Sequence, residues 1–149
     1  MISIAFSLTV DSDVESVWNY LADYRNVPLY VDGIVSYEPV GATSGVGAEF
    51  DSTVQFGPTS LSTRVVIDEW DVNRVAVFTS RGRVVTMTRN RLTDLGNGQT
   101  QVDFEMSVSM TGPFGPLSER AAEPFLRRSG QRTSANIARL TSKEAHRAA

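Results

Sequence analysis

VVTMTRNRLTDLGNGQTQVDFEMSVSM, residues 84–110, alternates in character on both sides of a Gly-Asn-Gly segment, and its strand pairing follows from the residues alone. Two alternating runs joined by Gly and Asn read as an antiparallel hairpin. With Gly96–Gly98 as a three-residue loop, Leu95 pairs with Gln99. Arg91 then stands opposite Asp103, Arg89 opposite Glu105 and Leu92 opposite Val102. Opposite charges meet on the water side. Val102, Phe104, Met106, Val108 and Met110 take the inner face, joined there by Thr86, Thr88 and Asn90 of the partner strand.

The same alternation extends outward along the chain. Ile2, Ile4, Phe6, Leu8 and Val10 alternate with small or polar residues, giving a half-buried strand over 2–10. Further strands are expected at 34–39, 47–56, 61–70 and 74–80, separated by GATSG, GPTS, DVNR and RGR. Connections this short require antiparallel neighbours, hence a meander. In 47–56, Phe50, Ser52, Val54 and Phe56 share a face. In 61–70 and 74–80 both faces are partly apolar, and the inward set stays open.

Helical spacing replaces alternation in two places. Val14, Val17, Trp18 and Leu21 form one apolar stripe, preceded by Ser12 and Glu15 at capping-box spacing. Pro28 cannot sit inside that helix and instead starts a second short turn that Gly33 ends. After GPFGPLSERAAEPF a last helix is expected from about Pro124, with Leu126, Gly130, Thr133, Ile137 and Leu140 facing inward. Arg128, Arg132, Arg139 and Lys143 fall on the opposite side.

Composition bounds the function. The chain has 149 residues, 41% hydrophobic and 21% charged, which fits one globular domain over 1–149, with 144–149 as a frayed tail. It contains no Cys and a single His, His146. Disulfides, thiolate nucleophiles, a Ser-His-Asp triad and multi-histidine metal sites are therefore excluded within one chain. The lack of Cys, of a signal-peptide pattern and of a long apolar run fits a cytoplasmic location without stable membrane insertion. Net charge is −3, with 7 basic and 14 acidic residues in 1–115 against 7 basic and 3 acidic in 116–149. An acidic chain whose arginines lie on the solvent side of a helix is not expected to bind nucleic acid.

VDSDVESVWNYLADYRNVPLYVDGIVSYEPVG, GVGAEF, IDEWDVNRVAVF and GNGQTQVDFEMSVSMTG resemble the corresponding stretches of the polyketide cyclase/dehydrase and lipid-transfer superfamily (SRPBCC), related to START and birch-allergen proteins. The resemblance spans about residues 2–143. It implies an α+β helix-grip fold, in which a seven-stranded antiparallel sheet curves around a long C-terminal helix and two short helices follow strand 1. It also implies a deep cavity between sheet and helix, with Leu29, Tyr30 and Val31 at its mouth and Trp18 and Leu21 anchoring the first helix. Aromatics at helical spacing also suit a packed core, and Tyr30 fits either role.

The ligand-contacting residues expected on this reading are Tyr30, Ser52, Val54, Phe56, Thr86, Thr88, Asn90, Phe104, Met106, Leu126, Gly130, Thr133 and Ile137. So many inward hydroxyls and an amide suit a cavity better than a dry core. Gly130 gives either clearance for a ligand or close strand packing; on the first reading, Gly130→Leu keeps or raises the melting temperature and weakens uptake of a hydrophobic probe. Nothing identifies a general base, a metal or a cofactor. The chain is accordingly expected to hold a small hydrophobic molecule (lipid, polyketide or aromatic) as carrier or sensor. A polyketide cyclase/dehydratase-type enzyme using the same cavity is the alternative, and a macromolecular partner bound at the surface is a third class.

Overall fold

The computed structural model describes residues 1–56, 58–82, 84–112 and 115–142. Strand β1 (Ile2–Val10) leads into α1 (Val14–Leu21), a single 3-10 turn (Tyr24–Asn26) and the short helix α2 (Val27–Tyr30). Strands β2 (Ile34–Pro39), β3 (Glu49–Phe56), β4 (Thr59–Asp71), β5 (Val75–Ser80), β6 (Val84–Gly96) and β7 (Gln99–Met110) follow, and α3 (Gly115–Leu140) ends the described chain. All seven strands form one antiparallel sheet in the order β1-β7-β6-β5-β4-β3-β2. This is the helix-grip fold.

The hairpin register matches the expected one, with Arg91 opposite Asp103, Arg89 opposite Glu105 and Leu92 opposite Val102. The loop itself differs. Gly96 rather than Leu95 pairs with Gln99, leaving Leu95 in a bulge and Asn97-Gly98 as a two-residue turn. Asn97 and Gly98 have φ of 56° and 75°, the left-handed pair that a twist-compatible hairpin turn requires. One extra residue in the bulge restores the register, so every pair upstream is unchanged.

A second bulge, between Ile67 and Glu69, resolves what the pattern left open in β4. Before it, Leu61, Thr63 and Val65 face the helix side; after it the parity flips, and Trp70 packs edge-on against Trp18 with centroids 5.1 Å apart. No single two-residue phase fits such a strand.

Both helix starts depart from expectation. Asp13, in extended conformation, precedes the first residue of α1, and Ser12 makes no capping box; the Ser12 carbonyl instead accepts from the buried Thr100 hydroxyl at 2.8 Å. Helix α3 begins at Gly115, nine residues before Pro124, which lies inside it. Pro116 falls in the first turn, where its missing N–H costs nothing, and Ser118–Glu123 is rich in helix formers. Glu119 fastens this start by accepting the Met110 N–H at 2.8 Å. An interior proline costs about 3 kcal/mol. Burial of Leu126 and Ile137 along the same helix offsets that loss, at about 1.5–3 kcal/mol for each fully buried large apolar side chain.

The core is divided. One cluster gathers Val17, Trp18, Tyr30, Phe50, Ile67, Val102 and Ile137; a smaller one holds Ile2, Ile4, Val108 and Leu126.

Candidate functional site

Between α3, the α2–β2 turn and the inner face of β2–β7 lies a cavity of about 140 Å³, which draws its walls from both core clusters. Of the residues named from sequence, Tyr30, Ser52, Val54, Thr86, Thr88, Asn90, Phe104, Met106, Leu126, Gly130 and Thr133 line it. Ile137 does not. It is fully buried in the larger core cluster, one turn beyond Thr133. The side chain of Phe56 lies outside what the structure describes.

Several of the lining polar groups are already engaged. The Tyr30 hydroxyl donates to the Leu21 carbonyl at 2.6 Å, and burial raises its pKa further above the ordinary tyrosine range, so it stays neutral. Tyr30 is buried rather than standing at an open mouth, whereas Leu29 turns outward and is 58% exposed. Ser80 and Thr86 share a 2.6 Å hydrogen bond across β5 and β6. The Thr133 hydroxyl donates to the Ser129 carbonyl at 2.9 Å, as is usual for Thr inside a helix, and accepts the Asp32 N–H at 3.0 Å. Asn90 is the exception. It is 94% buried and its Oδ1 is enclosed without a hydrogen-bond partner.

Of the two readings of Gly130, the geometry supports close packing. A β-carbon there would stand 2.8 Å from Cγ2 of Ile4, so the glycine permits close approach of α3 to β1 rather than holding space open for a ligand. The branched Ile4 side chain sits in a strand and is buried, which leaves it little room to yield.

Sequence reasoning missed the rim. Asp32, Gly33 and Ser129 also line the cavity, and Asp32 and Ser129 latch the α2–β2 turn onto α3. Ser129 donates to the Asp32 carbonyl at 2.8 Å and to its carboxylate at 3.0 Å, and Arg132 approaches that carboxylate at 3.7 Å. The Asn136 side-chain amide donates to the Tyr30 carbonyl at 3.3 Å. These contacts join residues about a hundred positions apart, so no local signal marks them. Leu61, Thr63 and Val65 were missed for another reason, the β4 bulge that breaks the alternation of their strand, and Phe78 because both faces of β5 are partly apolar.

The outer face of the hairpin carries the expected charges. Arg89 donates to Glu105 at 3.1 Å, while the Asp103 carboxylate accepts from Gln101. Among the described residues no group of His, Cys, Asp and Glu could hold a metal ion, and no helix is both long and apolar enough to cross a membrane.

A family profile described as polyketide cyclase/dehydrase and lipid transport matches residues 1–141. The chain belongs to that family. Solved structures with the same fold include a Thermus thermophilus protein (15% identity, TM-score 0.78, covering 94% of this chain and 97% of that one). A Streptomyces aromatase/cyclase is 18% identical with a TM-score of 0.74, covering 98% and 94% of the two chains. Norcoclaurine synthase from Thalictrum flavum is 16% identical with a TM-score of 0.69, covering 94% and 93%. At these identities the likeness is one of fold. No curated protein matches the chain by sequence.

Proposed function

We propose that this protein binds a small hydrophobic molecule in the cavity between the sheet and α3, as a carrier or sensor. The observation that carries the reading is a largely apolar space of about 140 Å³ between the sheet and α3. Its described lining includes no His, Lys or Arg, and its one carboxylate, Asp32, is held by Ser129 and Arg132 at the rim. Such walls favour removal of an apolar body from water and supply no group placed for proton transfer.

Cyclase-type catalysis is the second reading. The family description and the names of the aromatase/cyclase and the norcoclaurine synthase support it. In that case the cavity would preorganise a flexible substrate, and Asn90 would be the polar group closest to the chemistry.

Native mass spectrometry of protein purified gently from a cell lysate tests the first reading. The expected result is a retained small molecule released on denaturation, together with saturable uptake of an apolar fluorescent probe. Protein that emerges empty and takes up no probe would overturn it. Turnover of the extracted molecule, abolished by Asn90→Leu in folded protein, would shift the assignment to an enzyme.

A further inference from the structure

We infer that the bound molecule is neutral, is about the size of one aromatic ring, and donates a hydrogen bond to Asn90 Oδ1. This deepens the binding reading above and rests on it.

Size comes from the volume. The cavity of about 140 Å³ is close to the roughly 150 Å³ apolar cavity known to accommodate benzene, and well below the ~300 Å³ at which pockets for larger ligands begin. A long acyl chain or a fused polycycle exceeds that volume.

Neutrality comes from the walls. Asp32 is the only charged residue among the described lining, and its carboxylate already faces Ser129 and Arg132 at the rim. No positive side chain lines the interior. An anion would be buried without a counter-charge, and a buried unpaired charge is far more costly than a buried neutral group.

The donor comes from Asn90. Its Oδ1 is the one fully enclosed side-chain polar atom among the described cavity lining that lacks a partner. Asn90 lies mid-strand on β6, opposite Phe104 and Ala76, and no neighbouring hydroxyl reaches it. Three other lining hydroxyls are already engaged: Tyr30 at Leu21, Thr86 at Ser80 and Thr133 at Ser129. A buried acceptor left open in this way destabilises the empty protein and rewards a guest carrying an O–H or N–H beside an apolar body.

Four probes test this by calorimetry on the wild-type chain and Asn90→Leu: phenol, toluene, benzoate and hexadecanoate at neutral pH. Phenol and toluene are expected to bind the wild type, and the two anions are not. In Asn90→Leu the ratio of phenol to toluene affinity is expected to fall about tenfold, since the hydroxyl loses its acceptor while the apolar contacts remain. Should Asn90→Leu fail to fold, Asn90→Val, whose branched side chain suits a strand, is held to the same ratio. An unchanged ratio in the folded variant overturns the role of Oδ1. Anion binding as tight as that of phenol overturns neutrality, and if only hexadecanoate binds, the cavity reading stands while this inference falls. If none of the four binds, both fall.

Discussion

Gly130 of α3 lies so close to Ile4 of β1 that a β-carbon at position 130 would stand 2.8 Å from the Ile4 Cγ2 methyl. The contact sets how tightly the long helix is drawn onto the sheet edge, and so how much space remains beside it. Gly130→Ala should improve helix propensity by about 1 kcal/mol but overpack the contact by about 1–3 kcal/mol, lowering the melting temperature. Combining it with Ile4→Ala should cost less than the sum of the two single changes. Additive effects in a thermal-denaturation double-mutant cycle would show that the two residues do not share the strain.

The Asp32 turn is expected to loosen when its acceptor on α3 is removed. Thr133→Val keeps the shape but leaves the Asp32 N–H without its 3.0 Å partner. A loss of about 1–3 kcal/mol and faster amide exchange at Asp32 should follow. Unchanged exchange at that amide would mean that Ser129 holds the turn alone.

Charges on the outer face of the hairpin should matter little. Arg89 and Glu105 form an ion pair at 3.1 Å, with both side chains more than a third exposed. Arg89→Ala should therefore cost no more than about 1 kcal/mol and leave probe uptake unchanged. A fall in uptake with the melting temperature preserved would place the arginine in the ligand path.

High pH should unfold the protein through its buried phenols. Burial raises the pKa of Tyr30 and of Tyr37 above the ordinary tyrosine value of 10.0. Above pH 10 the unfolded chain releases these protons while the folded chain retains them. The stabilisation is thus complete below pH 10 and is lost as pH rises beyond it. A double variant, Tyr30→Phe with Tyr37→Phe, should start from lower stability, because the Leu21 carbonyl loses its donor, yet decline less steeply with pH. Denaturant midpoints measured between pH 8 and pH 11 would check the slope, and equal slopes would contradict the assignment.

The amino-acid sequence by itself determined the sheet and the character of its inner face. Ile2 through Val10 and Val102 through Met110 alternate without interruption, and the facing of these strands depends only on neighbours along one strand or across one short turn. The same local logic located Ser52, Thr86, Thr88 and Asn90 on the helix side, all of them cavity-lining. Only the tertiary structure decided the rest. The bulge between Ile67 and Glu69 breaks the alternation, and Leu95 loops out so that Asn97-Gly98 can turn. Helix α3 runs through Pro124 because its packing outweighs the local preference. The latch of Asp32 on Ser129 joins positions that are far apart in the chain and adjacent in space. Whether Gly130 leaves a gap or closes one depends on where Ile4 lies, some 126 residues away. Periodicity reports which way a side chain points; what it meets there is settled by the packing of segments distant in sequence.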